Sequence, residues 1–423
     1  MTYHNAVKFI TNSPAELPSP HPFERITKLC AKLGNPEKRI RYIRLAGSNG
    51  KTVCAEMLMS ILKHSNVTAG CLYMPLRDDI RENIRIGSEN FSIEDTAIYI
   101  SKVYEAVNEI RREMCEENGG EPVEFTPTKS EILLATALLA FREKHCSLCI
   151  IEGDHNGDDP SKFLPSPFAA MICGTIPSVD RHEVLKIRSY ITRGIQEIIS
   201  APQDMEAFRV ISDTCATVNC RLSIPSKASM KVFSVTLGGS SFRYKDKDYT
   251  LNLCGRFQLS NAEVVLETAE MLIRKGYPLT EESIKKGLST VKLKSKFEVL
   301  SISPTIIADS THKAVAIGPI CDSLTDFKAV TGERLYLCLP QGEIIDEYRK
   351  ALLERGYTIE KIFTLGNAEA QGDIEYYKTP KALVKNALSP ISKSRDRDCA
   401  IVISGTYNFT DKIRHELLSA LGF

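Results

Sequence analysis

Lys51 and Thr52 follow a short glycine-bearing turn, Gly47-Ser48-Asn49-Gly50, which itself follows the strand-like run "IRYIRLA". A strand that stops, a turn that points several N–H groups inward and a helix N-terminus together make a phosphate cradle. The first helical turn supplies unpaired donors and partial positive charge. A lysine at that point neutralises the β- and γ-phosphates of a nucleotide, and an adjacent hydroxyl ligates magnesium. "GSNGKT" contains all three parts. The strict G-x-x-x-x-G-K-[ST] pattern has glycine where this chain has Leu45, so an ordinary turn remains open. Two carboxylates stand in comparable places. Glu152 ends "SLCIIE", an apolar run of the kind that forms a buried parallel strand, which puts it at the carboxyl edge of a sheet. Asp309 ends "TIIAD", where a lone aspartate equally suits a helix N-cap.

The elements that must hold these residues alternate along the chain. After a proline-rich leader comes the strand, then a helix from Lys51 with Val53, Met57, Leu58, Ile61 and Leu62 on one face. "ENGGEPVEFTPT" reads as a loop, and a helix runs from Lys129 to Lys144. Thr128 and Glu131 have capping-box spacing. "SLCIIE" and "AAMICGTI" read as buried strands. Residues 230–254 carry β-branched residues, a Gly-Gly and a charged turn, the signature of antiparallel strands. Helices follow from about Leu259 to Lys275 and from Thr280 to about Ser289. From residue 297, "TIIAD", "RLYLCLP", "KIFTLG" and "CAIVISG" alternate with helical patterns, which implies a parallel sheet. The expected architecture is α/β: a parallel-sheet ATPase domain of the P-loop type over residues 1–292, then a smaller Rossmann-like domain over 297–423.

A chain of 423 residues exceeds one typical core. Its net charge of +1 gives no bulk attraction to nucleic acid or anionic membrane, and no apolar run is long enough for a membrane span. With no signal-like N-terminus, a cytoplasmic location is expected. The 13 cysteines are scattered in apolar runs and read as buried free thiols. Cys146 and Cys149 have C-x-x-C spacing, but within a strand their side chains would point to opposite faces.

"AGSNGKT" resembles the ATP loop of the Mur ligase superfamily. The ordered series "NPEKRIRYIRLAGSNGKTVCAEMLMSIL", "PLRDDIRENIRI", "TPTKSE", "GRFQLSNA", "SKFEVL" and "IIADSTHKA" resembles its folylpolyglutamate synthase/dihydrofolate synthase branch over most of the chain. Lys51 followed directly by Thr52 is a Mur-like detail; the folate branch usually inserts a glycine. The resemblance implies an ATP- and Mg2+-dependent ligase of one-carbon metabolism. A carboxylate is activated as an acyl phosphate and joined to an amino acid, glutamate onto a folate. It implies ATP contacts from Gly47, Ser48, Asn49, Gly50, Lys51, Thr52, Gln258, Asn261, Lys296 and Asp309. Lys51, Glu152 and His312 take catalytic roles, and Thr52 and Glu152 hold metal. Pro75, Arg81 and Arg85 lie where the family meets its pterin substrate. The expected partners are small molecules, with no nucleic acid or membrane, and the expected state is a monomer.

The departures are selective. The family's "E-x-G-L-G-G-R-L-D-A-T-N" run is "EGDHNGDDPSKFL" here, an acidic loop that reads as solvated. Its metal-binding histidine falls on Arg181, so only the adjacent His182 could substitute, and its carbamylated lysine falls on Thr192. Neighbouring Arg193 cannot be carbamylated at neutral pH. The arginine before F-E is Lys296, and the motif asparagine after His312 is Lys313. Three readings therefore stay open: glutamylation of a folate, the same chemistry on another acceptor, and a nucleotide-binding protein with impaired catalysis.

Overall fold

The structure, a computed structural model, describes residues 1–21, 23–47, 49–153, 159–165, 167–174, 181–311, 314–393 and 399–422. The chain forms two compact units. One comprises residues 1–226 and 261–287, the other residues 227–260 and 288–423. The 227–260 segment thus groups with the C-terminal residues, a distribution that a single boundary between 292 and 297 does not describe.

The first unit is built on an eight-stranded sheet among the described residues. Its strands are β1 (Tyr42–Ala46), β2 (Ala69–Leu72), β3 (Ile84–Ile86), β4 (Glu89–Asn90), β5 (Leu148–Glu152), β6 (Ala169–Ile172), β7 (Glu197–Ser200) and β8 (Arg221–Ser223). The order is β4-β3-β2-β5-β1-β6-β7-β8, parallel except for the β2–β3 and β3–β4 pairs. Its helices are α1 (Tyr3–Asn12), α2 (Glu24–Lys32), α3 (Lys51–His64), α4 (Ile93–Glu117), α5 (Lys129–Glu143), α6 (Arg181–Ser189) and α7 (Met205–Val218). By strand register Tyr42, Cys149, Ile151, Ala170, Ile172 and Ile198 point to one face of the sheet, where they enter two apolar clusters. Tyr42, Cys149 and Ile151 join α2, α4 and α5, and Ala170, Ile172 and Ile198 join α6 and α7. The proline-rich leader is confined to a short stretch between α1 and α2, because the apolar spacing on either side of it satisfies the helical period.

α5 opens as its sequence implies. The Thr128 hydroxyl accepts from the Glu131 N–H at 3.2 Å, and the Glu131 carboxylate accepts from the Thr128 N–H at 2.7 Å. All thirteen cysteines are free. The expected opposition of Cys146 and Cys149 is corrected: β5 starts at Leu148, so Cys146 sits in the turn after α5. There its thiol hydrogen-bonds with that of Cys149, which lowers the pKa of Cys146 and raises that of Cys149.

Helix α8 (Phe257–Arg274) contributes its first residues to the second unit and the rest to the first, and α9 (Glu281–Thr290) belongs to the first as far as Gly287. The second unit holds an antiparallel sheet of β9 (Met230–Thr236), β10 (Gly239–Tyr244) and β11 (Lys247–Leu251), in the order β11-β10-β9. Its larger sheet has the order β12-β13-β17-β14-β15-β16, from β12 (Glu298–Ile302), β13 (Thr305–Asp309), β14 (Arg334–Cys338), β15 (Thr358–Leu365), β16 (Ile374–Tyr377) and β17 (Cys399–Ser404). Only the β12–β13 pair is antiparallel. Both faces are apolar: Ile307, Leu337 and Val402 enter one cluster, and Ile306, Ile401 and Ile403 enter the other. This is the α/β architecture expected. No helix among the described residues is long and apolar enough to cross a membrane.

Candidate functional site

The turn after β1 is shaped by two glycines that no other residue replaces. Gly47 has φ of 118°, and a Cβ there would lie 2.1 Å from the Cys173 carbonyl oxygen. Gly50 has φ of 80° and is the N-cap of α3; a Cβ on it would meet the Asn261 Oδ1 at 2.4 Å. The turn is therefore threaded between Cys173, just after β6, and Asn261. Cys54, one helical turn into α3, lies against Asn261 and hydrogen-bonds with the Cys173 thiol. That bond, with burial, pushes its own pKa up.

Lys51, 4% exposed, folds back so that its ammonium donates to the Gly47 carbonyl at 3.1 Å. Thr52 Oγ1 donates to Glu152 at 3.0 Å to Oε1 and 3.2 Å to Oε2. Strand register explains the meeting: Leu45 of β1 is level with Glu152 of β5, so both strands end together and their loops leave side by side. A buried carboxylate and a hydroxyl at a helix N-terminus form a hard oxygen donor set, which suits Mg2+. Among the described residues, no three His, Cys, Asp or Glu side chains cluster as a metal cage.

The structure thus brings Gly47, Asn49, Gly50, Lys51, Thr52, Glu152 and Asn261 into one neighbourhood of the first unit. Ser48 lies outside the described residues, as do His312, Lys313 and the acidic segment 154–158. His182 falls in α6, but its side chain and that of Arg181 are also outside them. Thr192 is half-buried and Arg193 exposed, in the turn after α6.

One part of the acidic loop departs from expectation. Asp159 is buried rather than solvated, because its carboxylate accepts from the Ser161 N–H at 2.9 Å and the Tyr190 hydroxyl at 2.7 Å. The roles of Arg44 and Tyr190 have no counterpart in the sequence reading. The available signal was an arginine inside the apolar strand "YIRLA".

Pro75, Arg81 and Arg85 lie farther along the same unit. Asn83 pins their loop, with Nδ2 donating to the Tyr73 carbonyl at 2.8 Å and the Pro75 carbonyl at 2.9 Å. Arg81 pairs with Asp79 at 2.6 Å. Arg85 pairs with Glu56 of α3 and lies 5.7 Å from the Tyr73 ring centroid. Both arginines therefore already hold carboxylates of the chain itself.

In the second unit, Asp309 is 3% exposed at the end of β13. Its Oδ2 accepts from the Phe297 N–H at 2.7 Å, while Oδ1 has no partner among the described residues. Burial pushes its carboxyl pKa up, and the Lys296 charge opposes that shift. Gln258 donates from Nε2 to the Lys296 carbonyl at 3.4 Å, so Gln258, Lys296 and Asp309 form a second neighbourhood.

Comparison with known proteins gives consistent results. No protein-family model matches the chain. The folylpolyglutamate synthase of Lacticaseibacillus casei is 25% identical over 344 residues, 77% of each chain. The dihydrofolate synthase/folylpolyglutamate synthase of Bacillus subtilis is 23% identical over 314 residues, 71% of each. A solved structure described as an FPGS-AMPPCP-folate complex matches with a TM-score of 0.80 at 20% identity, over 99% of this chain and 100% of the other. That likeness shows the fold.

Proposed function

From the chain's membership of the folylpolyglutamate synthase/dihydrofolate synthase branch of the Mur ligase superfamily, we propose that it is an ATP-dependent ligase joining glutamate to a folate carboxylate. The observation that carries this reading is the Lys51–Thr52–Glu152 arrangement, a buried cation, a hydroxyl and a carboxylate converging where two parallel strands end.

The acceptor carboxylate attacks the γ-phosphate of ATP, forming an acyl phosphate and releasing ADP. The amine of glutamate then displaces phosphate to form the amide. Lys51 spreads its charge over the β- and γ-phosphates, and the N–H groups of the Gly47–Gly50 turn and the α3 N-terminus bind their oxygens. Thr52 and Glu152 would hold Mg2+, which supplies charge neutralisation when bound. Asn261 orders the loop by packing on Gly50. Gln258, Lys296 and Asp309 are proposed as nucleotide contacts of the second unit, and His312 as a catalytic residue. Pro75, Arg81 and Arg85 are proposed for the acceptor, with Arg85 exchanging Glu56 for a substrate carboxylate.

Arg181 and Thr192 stand where the family has a histidine and a lysine, so the second metal position is proposed to be degenerate, with His182 as its one remaining candidate. A cytoplasmic monomer fits the composition. The test is ADP release by purified protein with ATP, magnesium, glutamate and a panel of folates and other carboxylates. Glutamate-dependent release with a folate supports the reading, and release with another carboxylate alone moves it to a different acceptor. Nucleotide binding without turnover points to a catalytically impaired protein. Two tightly bound magnesium ions in the ATP complex would overturn the degenerate second site.

A further inference from the structure

Arg44 is the sole charged side chain of β1 and is 1% exposed. Its Nη2 donates to the Ser161 carbonyl at 2.6 Å and to the Tyr42 hydroxyl at 3.2 Å. The guanidinium lies 5.7 Å from the Tyr42 ring centroid and 5.8 Å from that of Tyr190. Its Nε and Nη1 are buried without an acceptor among the described residues. A guanidinium stays charged at every accessible pH. Burying one costs several kcal/mol, and unmade donor bonds add to that cost. Stability alone gives no reason for an arginine here, since an apolar side chain of similar length would cost less.

The partners of Arg44 suggest another role. Ser161 belongs to the short turn that Asp159 caps, and the second oxygen of Asp159 accepts from Tyr190. Lys162 lies 5.0 Å from the same Tyr190 ring centroid. The Asp159–Tyr190 bond rests against Gly153, the residue after Glu152. A Cβ on Gly153 would lie 3.0 Å from the Tyr190 hydroxyl, 3.1 Å from Asp159 Oδ2 and 3.1 Å from the Leu45 carbonyl. That same carbonyl accepts from the Gly153 N–H at 2.9 Å. The chain leaving Glu152 is thus clamped where it departs the sheet and again where it returns at Asp159–Ser161. Both clamps reach back to β1, the strand that ends in the phosphate-type turn.

We infer that Arg44, acting through Ser161 and together with Tyr190 and Asp159, is a positioning residue that sets where Glu152 stands relative to Thr52. The consequence rests on the ATP reading above, in which those two residues hold the metal. A displaced Glu152 weakens magnesium binding while the rest of the phosphate cradle still takes nucleotide.

The test compares wild type with Arg44→Met, Arg44→Lys and Tyr190→Phe. Calorimetry measures affinity for the β,γ-methylene analogue of ATP without metal, then the magnesium midpoint with that analogue bound. Arg44→Met is expected to weaken the magnesium midpoint about tenfold, and Tyr190→Phe about threefold. Metal-free affinity stays within about twofold of wild type, and Arg44→Lys recovers part of the loss by reaching Ser161 alone. Tyr190→Phe removes only the hydroxyl oxygen and keeps the ring, so it carries the test should Arg44→Met fail to fold. A Tyr190→Phe magnesium midpoint equal to wild type overturns the inference. So does a loss of metal-free affinity in step with the midpoint, which marks general damage. Wild type that binds no nucleotide refutes the ATP reading and this consequence together; wild type that binds it normally while the variants match it refutes the inference alone.

Discussion

Two strand-associated loops of this molecule require left-handed backbone, and they meet the requirement in opposite ways. The turn after β1 uses glycine, at Gly47 and Gly50. The loop before β12 uses Ser295, with φ of 53°, and Phe297, with φ of 55°. In the first, neighbouring atoms occupy the space a Cβ would need, so no side chain is tolerated. In the second, side chains hold the strain in place. The Phe297 ring packs against Phe257 and Phe327, its N–H is bonded to Asp309, and Glu298 caps the Ser295 N–H at 2.8 Å while gripped by Arg414. A glycine turn is written in local sequence and yields to a close-packed ligand. A side-chain-anchored loop is assembled from distant residues and stands or falls with them.

The largest effect expected from breaking this contrast is in the first loop. Lys51→Ala removes the one cation of that turn and should lower ATP affinity more than about 100-fold, about 3 kcal/mol, by calorimetry. Unchanged affinity would remove the basis for reading the loop as a nucleotide site. Gly47→Ala forces a Cβ into the Cys173 carbonyl and should cost about 3 kcal/mol or more in a denaturant titration. A loss below about 1 kcal/mol would mean the turn relaxes as freely as an ordinary loop.

The second loop should respond with the opposite sign. Ser295→Gly removes both left-handed strain and a buried hydroxyl without a partner among the described residues, and should raise stability by about 1 kcal/mol. A fall would show that the Ser295 side chain contributes to the anchoring. The smallest effect is a slope. Asp309 has its pKa raised by burial, so the native state holds that proton more tightly than the unfolded chain. Its contribution is favourable at low pH and is lost as pH rises from the ordinary value of 3.8 through the raised native one. Asp309→Asn should lack that decline, as urea midpoints across the acid range will read. Parallel pH curves for the two proteins would mean Asp309 ionises without penalty.

The legibility of the site follows the same division. Lys51, Thr52 and Gly50 could be proposed from sequence because a phosphate turn needs them within a few residues of each other. The place of Glu152 at a strand end could be read because an apolar run that stops at a carboxylate marks a buried strand reaching its edge. The capping box at Thr128 and Glu131 is equally local, and the structure closes it as the spacing implies. Asp159 was misread as solvated for the converse reason. What buries it is Tyr190, thirty-one residues away, and nothing near Asp159 announces that partner. The expectation for Cys146 and Cys149 failed because the strand begins at Leu148, two residues after Cys146.

The sequence by itself therefore determined the α/β alternation, the glycine turn between β1 and α3 and the resemblance to a ligase family, all properties carried by short-range spacing and by periodic burial. Tertiary structure alone decided that Thr52 meets Glu152, that Arg85 is held by Glu56, and that Arg44 is buried between two tyrosines. The physical reason is that hydrogen bonds and ion pairs are set by which strand lies beside which. That order, β5-β1-β6 at the centre of the sheet, brings together residues more than a hundred positions apart.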